Sequence, residues 1–343
     1  MRILFVTRHL NKSGFEILRR LLDERFDVCG VLLKKCDSPW INSRNHLIAK
    51  FLYNIECKFY RCRLLKVTES EELLAKSAGL NIIRVKSIKS NDAIALIKKS
   101  KPDIIVVGGG WHELIPPPVF NFPRLGCINT HPALLPAFRG TSITRWQILE
   151  GAELSGCTIH YVNEDFDAGN ILMQRRLNVR PNISPQELFG DISILAADTM
   201  IELLRRFEKE GKLRGEDVSK VALQSKYYSK WTWNDEKLKI DWCQSLRDIE
   251  RFVRANTQES YRYLGPWFRT NKGDFILRRA ALMPSQNRAT SSHPIVVEQS
   301  ENIVWLEKHN DPHALGLVQV QRKDKFLKLR RGCQAESNII ITN

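Results

Sequence analysis

Two polar residues, Asn129 and His131, stand two positions apart in the segment GCINTHPALLPAFRG at 126–140. If residues 127–131 form a β-strand, its period of two places both side chains on the same face. An amide that donates hydrogen bonds then lies beside an imidazole that titrates near neutral pH. The pair indicates that this face of the strand can stabilise an oxyanion and help to move a proton.

A third candidate, Asp167, follows a later strand. Residues 158–162 alternate as a strand and run into the acidic loop at 163–169. We expect Asp167 to lie near Asn129 and His131, at or just beyond strand ends of one sheet, where a carboxylate orients an imidazole and raises its basicity. These three residue types suit attack by an amine on a carbonyl. On residue type alone, a structural Asn–His pair and a surface aspartate remain an alternative.

The elements that must position these residues begin with a β-α-β pattern. Apolar runs at 3–6, 28–33 and 104–107 predict buried strands, and Phe15, Leu18 and Leu22 repeat at helical spacing. This order favours an α/β fold with a parallel sheet that binds ligands at the carboxyl ends of its strands. The first loop lacks G-x-G-x-x-G, so a dinucleotide site is not supported.

After a predicted long helix, the sequence pattern changes from alternating strands and helices to short strands. Ser184, Pro185 and Glu187 predict that helix's start, and Gly211 predicts its end. We expect a catalytic domain over 1–210, a linker over 211–244 and a domain over 245–335. Short strands predict a small, OB-like β-barrel there; they lie at 267–270, 275–278, 295–298, 303–307, 316–320 and 326–329.

The composition indicates a globular protein with an anionic partner. The 343 residues are 43% hydrophobic and carry a formal net charge of +15. Eight Lys or Arg against two acidic residues give segment 34–66 a net charge of +6, which fits an anionic partner or a solvated surface. No apolar run reaches the ~18 residues that span a bilayer, and we expect a cytoplasmic protein without membrane contact.

The cysteines predict no metal centre. Among the eight, Cys57 and Cys62 are close in sequence, but no second Cys/His pair lies nearby. That spacing is weak support for zinc, so we interpret the cysteines as structural thiols and expect no metal site.

Two longer motifs resemble the 10-formyltetrahydrofolate-dependent formyltransferases. They are INTHPALLPAFRG at 128–140 and SGCTIHYVNEDFDAGNI at 155–171, with Asp167 placed 36 residues after His131. The resemblance implies a Rossmann-like catalytic domain followed by a smaller barrel-like domain, with 10-formyltetrahydrofolate as co-substrate. It further implies that Asn129 stabilises the oxyanion, that His131 assists in proton transfer, and that Asp167 holds His131 and moves a proton through a water.

The resemblance also implies a folate pocket and a choice of acceptors. Its predicted pocket residues are Trp111, Leu114, Val119, Val162, Asn163, Glu164 and Asp165, although for Trp111 and Leu114 core packing is an equal alternative. The first loop, TRHLNKSG, disfavours a glycinamide ribonucleotide acceptor because it departs from the Gly/Ser-rich phosphate loop of those enzymes.

Two acceptors then remain. RGTSITRW at 139–146 differs from the RGAAPI of the methionyl-tRNA enzymes, and GCTIH is closer to the small-molecule branches. We therefore favour the amino group of a nucleotide-linked amino sugar, with charged initiator tRNA as the alternative because the chain is basic. A formyltetrahydrofolate hydrolase and a non-catalytic folate- or RNA-binding protein stay open, as does a homodimer.

Overall fold

The computed structural model describes residues 1–9, 11–34, 70–221, 223–231, 236–257, 265–299, 303–323 and 341–342. The chain divides into two units, of which the first comprises Met1–Thr144, Glu153–Val179 and Gln186–Ser229, and the second comprises Arg145–Ala152, Arg180–Pro185 and Lys230–Asn343. The domain limits at 210 and 244 stay a prediction. Outside the described residues lie the basic segment beyond Lys34, the strand expected at 326–329, and Cys36, Cys57, Cys62 and Cys333.

Seven strands form the sheet of the first unit. They are β1 (Arg2–Arg8), β2 (Asp27–Lys34), β3 (Ile82–Val85), β4 (Ile104–Val107), β5 (Cys127–His131), β7 (Leu154–Tyr161) and β8 (Ile171–Asn178), while β6 (Arg139–Gly140) pairs elsewhere. Their order is β3-β2-β1-β4-β5-β7-β8. The pairs from β3 to β5 are parallel, and β7 and β8 continue the sheet antiparallel. The chain turns outward in opposite directions from β1 and β4, the arrangement that opens a crevice at their carboxyl ends.

Helices cover both faces of this sheet. They are α1 (Lys12–Asp23), α2 (Glu71–Ser77), α3 (Asn91–Ser100), α4 (Pro117–Phe120) and α6 (Pro185–Glu210), while α5 (Ile143–Leu149) follows β6 in the chain. Ile3 and Phe5 of β1 pack in a core with residues of α1 and α6, whereas Leu4 and Val6 pack in a second core with residues of α3 and α4. Alternate residues of a strand point to opposite faces. Both faces are therefore buried, which explains the continuous apolar run at 3–6.

A two-stranded pairing lies beside the main sheet. Strand β6 pairs in parallel with β9 (Tyr227–Tyr228). Phe138, just before β6, stacks on Tyr228 with ring centroids 5.2 Å apart. The short pairing therefore fixes the end of the motif that begins on β5.

The second unit contains a six-stranded antiparallel sheet. Its strands are β10 (Trp267–Thr270), β11 (Gly273–Pro284), β12 (Ile295–Gln299), β13 (Val304–Glu307), β14 (His313–Arg322) and β15 (Ile341–Thr342), in the order β12-β13-β14-β11-β10-β15. Helix α7 (Leu246–Asn256) begins at the cap Ser245 and buries Leu246, Ile249 and Val253 in the core of this unit. The predicted fold class, a Rossmann-like α/β domain with a smaller C-terminal, OB-like β-barrel domain, is confirmed in its α/β sheet and in its smaller antiparallel β unit.

Across the described ranges, no helix is both long enough and apolar enough to cross a bilayer.

Candidate active site

The candidate site begins with a cross-strand arrangement. On β5, Asn129 lies directly opposite His160 of β7, and His131 lies opposite Thr158. Directly opposed residues of antiparallel strands project from the same face of a sheet. The predicted shared face of Asn129 and His131 is therefore part of a larger polar surface that includes residues from the neighbouring strand.

The His131 ring is held between two hydrogen-bond acceptors. Its Nε2 lies 2.7 Å from the Phe138 carbonyl oxygen, and its Nδ1 lies 3.4 Å from Asp167 Oδ1. A carbonyl and a carboxylate only accept hydrogen bonds, so a ring protonated on both nitrogens satisfies both contacts. Burial by itself lowers the pKa of His131, but Asp167 and the Phe138 carbonyl together raise that pKa above its ordinary value. The site therefore favours the imidazolium form of His131.

Asp167 lies in the loop between β7 and β8 and forms an ion pair with His131. Its Oδ2 accepts a hydrogen bond of 3.0 Å from the Gly140 backbone N–H, and its backbone φ is 53°. Burial by itself raises the pKa of Asp167, yet the adjacent His131 charge and the hydrogen bond from His131 hold that pKa well below its ordinary value. Asp167 is therefore an ionised carboxylate, buried against an imidazolium.

His160 holds the amide of Asn129. Its Nδ1 lies 2.8 Å from the Tyr161 carbonyl oxygen, and its Nε2 lies 3.1 Å from Asn129 Nδ2. The carbonyl requires a proton on Nδ1, and the amide nitrogen of Asn129 only donates. A neutral ring protonated on Nδ1 satisfies both contacts, with Nε2 accepting from Asn129. One amide hydrogen is thereby used, and the second is left to donate to another group.

The two motif segments are tied together around Gly140. Arg139 Nη2 donates a 2.6 Å hydrogen bond to the Phe166 carbonyl oxygen, one residue before Asp167. Gly140 has a φ of 107°, and a Cβ placed there would lie 2.1 Å from the Tyr228 carbonyl oxygen. Only glycine tolerates both conditions without strain. Gly140 thus allows its own N–H to reach the Asp167 carboxylate.

The residues predicted for the folate pocket differ in exposure. Trp111 and Val119 are buried in the second core, with Val162 packed against it, whereas Leu114 is 40% exposed. The Trp111 indole N–H is buried and has no hydrogen-bond partner within the described part of the chain, and Lys34 Nζ lies 5.1 Å from the indole centroid.

The remaining pocket residues lie in the loop that leads to Asp167. There the Asn163 Oδ1 accepts from the Asp165 backbone N–H at 3.2 Å, and Glu164 is exposed. All seven assignments as folate contacts stay predictions.

His160 is the polar residue of the site that sequence reasoning missed. The signal was present, because residues 158–162 were predicted as a strand and Thr158 and His160 alternate within it. What was lacking was the antiparallel register that sets His160 against Asn129. A strand pattern alone does not reveal its partner or register.

The segment of the chain that contains this site matches a known protein family. Residues 62–204 match the formyl transferase family. This part of the chain is a formyltransferase domain. It contains Asn129, His131, His160 and Asp167, so the polar cluster lies entirely within the matched segment.

Curated relatives extend the similarity of the formyltransferase domain. A methionyl-tRNA formyltransferase of Clostridioides difficile (strain 630) is 24% identical over 314 residues, which cover 90% of each chain. The methionyl-tRNA formyltransferase of Syntrophus aciditrophicus (strain SB) is 34% identical over 184 residues, covering 54% of this chain and 57% of that protein. Against this and six similar relatives, the alignments span between 55% and 58% of the relatives' length.

A solved structure shares the fold of both units. The N-formyltransferase from Helicobacter canadensis, in complex with folinic acid and dTDP-3-aminofucose, is similar with a TM-score of 0.60 and 15% identity. The match covers 93% of this chain and 99% of that chain. At this identity the likeness shows that the fold of the formyltransferase domain and of the smaller domain is shared.

Proposed function

We propose that this protein transfers a formyl group from 10-formyltetrahydrofolate to the amino group of a nucleotide-linked amino sugar. The observation that carries formyl transfer is the partly buried cluster in which Asp167 joins the face that Asn129 and His131 share, with His131 Nδ1 3.4 Å from Asp167 Oδ1. Formyl transfer develops negative charge on the formyl oxygen and releases a proton from the amine. The cluster offers an amide donor, a cation and a carboxylate for those two changes.

In the proposed reaction the amine nitrogen attacks the formyl carbon, and the carbonyl electron pair moves to oxygen. The free amide hydrogen of Asn129 donates to this oxyanion, and the His131 imidazolium stabilises its charge. Asp167 accepts the amine proton through a bridging water. The bond between the formyl carbon and folate N10 then breaks, and N10 takes up the proton, which leaves tetrahydrofolate and the formamide.

The ionisation states of His131 and Asp167 decide which of the two acts as the base. Both ring nitrogens of His131 face acceptors, which favours the imidazolium form, and an imidazolium is suited to stabilise charge rather than to remove a proton. Asp167 is ionised across the neutral range and lies beside it. We therefore assign the base role to Asp167 and electrostatic stabilisation to His131.

His131→Ala tests the formyl-transfer part of the proposal. We expect formyl transfer to be abolished while 10-formyltetrahydrofolate binding is largely retained, because His131 acts on the reacting carbonyl. His309→Ala is a matched control, since His309 is exposed and lies in the second unit. Wild-type turnover in His131→Ala would contradict the assignment. Formate release without any amine would identify a hydrolase instead.

The amino-sugar acceptor draws its support from the site and the fold. His160 fixes Asn129, and GCTIH was the feature that favoured the small-molecule branches. A sugar N-formyltransferase fold also covers nearly the whole of both chains. A screen with 10-formyltetrahydrofolate should compare nucleotide-linked 3-amino and 4-amino sugars with charged initiator tRNA. We expect formamide formation on a sugar nucleotide, and exclusive formylation of tRNA would overturn this choice.

Methionyl-tRNA is the second candidate. The net charge of +15 favours an RNA partner, and the relative aligned over 90% of both chains is a methionyl-tRNA formyltransferase. Under this alternative, tRNA affinity should fall steeply with salt, and neutralising Arg61 and Arg63 should flatten the slope. An unchanged slope would favour a solvated basic surface.

A further inference from the structure

A row of three side chains crosses the sheet beside the site. Thr158 of β7 lies directly opposite His131 of β5 and also directly opposite Gln174 of β8. The three residues therefore project from one face of three adjacent strands. Thr158 is fully buried and His131 is 3% exposed, so this row continues the polar surface of the site away from Asp167.

Thr158 and Gln174 form a closed hydrogen-bond network with the turn that follows β5. The Thr158 hydroxyl donates to the Ala133 carbonyl oxygen at 2.6 Å and accepts from the Leu135 N–H at 3.0 Å. Gln174 Nε2 donates to Thr158 Oγ1 at 2.8 Å and to the Leu135 carbonyl oxygen at 2.9 Å. A hydroxyl has one donor and two acceptor sites, and an amide nitrogen has two hydrogens. Every one of these is used, so the network has a single proton arrangement.

The same turn ends at the group that binds His131. Ala137 N–H donates to the Leu134 carbonyl oxygen at 3.1 Å, and Phe138 follows with a φ of 56°. This left-handed conformation costs a non-glycine residue energy unless its surroundings impose it. It directs the Phe138 carbonyl to His131 Nε2 at 2.7 Å. The anchoring points at Ala133 and Leu135 thus lie five and three residues before Phe138, whose carbonyl orients His131.

We propose that Gln174 is a positioning residue of the formyl-transfer site, which acts through Thr158 and the turn at 133–138 to hold the Phe138 carbonyl against His131. The inference rests on the proposed function for the role of His131. Gln174 itself lies on β8 and supplies no group to the reacting atoms. Its contribution is to fix where the Nε2 proton of His131 points.

The charges that face His131 make this positioning measurable. Asp167 lies against Nδ1, Arg139 precedes Gly140 and disfavours the imidazolium, and His160 lies 3.6 Å from the same Asp167 oxygen. The Phe138 carbonyl is the contact on the opposite nitrogen. Loss of that contact removes one cause that raises the pKa of His131, so His131 should titrate at lower pH when the turn is released.

Gln174→Leu and Thr158→Val test the inference in the full-length protein. Each removes hydrogen bonds at similar side-chain volume. We expect kcat to fall by about 10- to 100-fold through misplacement of His131, with KM for 10-formyltetrahydrofolate unchanged. The His131 imidazole resonances in NMR should titrate at lower pH than in the wild type. The limb of the pH–rate profile that follows His131 ionisation should shift to lower pH as well.

Two variants serve as controls. Thr158→Ser keeps the hydroxyl and should retain the wild-type titration. Arg176→Leu changes an exposed residue on the same face of β8, two positions from Gln174, and should leave kcat unchanged.

The inference is overturned if folded Gln174→Leu keeps the wild-type kcat and His131 titration. It is equally overturned if only the melting temperature changes, because that outcome marks a purely structural role. Should Gln174→Leu not fold, Gln174→Asn, whose amide is one methylene shorter, is judged by the same readouts. A shifted His131 titration in a protein whose wild type transfers no formyl group would uphold the positioning network and refute the proposed function.

Discussion

Removal of the Asp167 charge should destabilise the folded protein by an amount that depends on pH. In Asp167→Asn the His131 imidazolium loses its counter-ion, whose oxygen lies 3.4 Å from Nδ1 in a setting where the two side chains are 4% and 10% exposed. Two unit charges at that distance attract by about 5 kcal/mol at an effective dielectric constant of ~20. Breaking one side of a buried ion pair typically costs about 3–5 kcal/mol, in agreement with this value.

The direction of the pH dependence follows from both groups. The pKa of His131 is raised in the folded protein. Its contribution to the free energy of unfolding is therefore full below its unfolded pKa of about 6.5 and is lost as the pH rises through the folded pKa. The pKa of Asp167 is lowered in the folded protein. Its contribution to the free energy of unfolding is therefore full above about pH 4 and is lost as the pH falls through the folded pKa. The pair should stabilise the protein most between about pH 4 and 6.5.

Urea unfolding of the wild type and Asp167→Asn at pH 5.5 and pH 9 measures this effect. We expect the variant to lose about 3–5 kcal/mol at pH 5.5 and less at pH 9, where His131 can release its proton. Formyl transfer should fall by roughly 10²- to 10⁴-fold, as expected for a lost proton-transfer group. Asp27→Asn, at an exposed aspartate, controls for the substitution. An equal loss of stability at both pH values would refute the ion-pair reasoning.

Three further substitutions probe other contacts of the site. Gly140→Ala forces a Cβ to within 2.1 Å of a backbone carbonyl at a φ of 107°, so thermal unfolding should show a loss of at least about 2 kcal/mol; an unchanged melting temperature would contradict the account of that turn. His160→Leu removes the acceptor for Asn129 and should lower kcat about 10-fold, with partial recovery in His160→Gln; full activity in His160→Leu would show that Asn129 needs no support. Trp111→Phe removes a buried N–H that has no partner among the described residues and should weaken folate binding roughly 3- to 10-fold in fluorescence titrations. Trp242→Phe removes a similar N–H in the second unit and should leave folate binding unchanged.

The parts of the fold that sequence patterns predicted were those with strong burial. Strands β1 and β4 read as apolar runs because both faces of the sheet are covered. Strand β3 was missed, since its four residues are mostly half-exposed at the edge of the sheet. The two-residue strands β6 and β9 were also missed, because so short a pairing leaves no periodicity.

The site was predictable to the extent that strand geometry governs it. Asn129 and His131 share a face because they are two residues apart on β5. The proximity of Asp167 depends instead on a loop in which Asp167 itself has a positive φ, and residue types alone left a surface aspartate open. The protonation of His131 was beyond sequence reasoning as well, because the Phe138 carbonyl that faces Nε2 belongs to the backbone.

The arrangement of β5, β7 and β8 keeps the chemistry local in the chain. The polar contacts described for the site, from Asn129 to Gln174, arise from one stretch that forms three adjacent strands and their connections. Substitutions outside this stretch can therefore change how an acceptor binds while the hydrogen bonds around Asn129, His131 and Asp167 keep their partners.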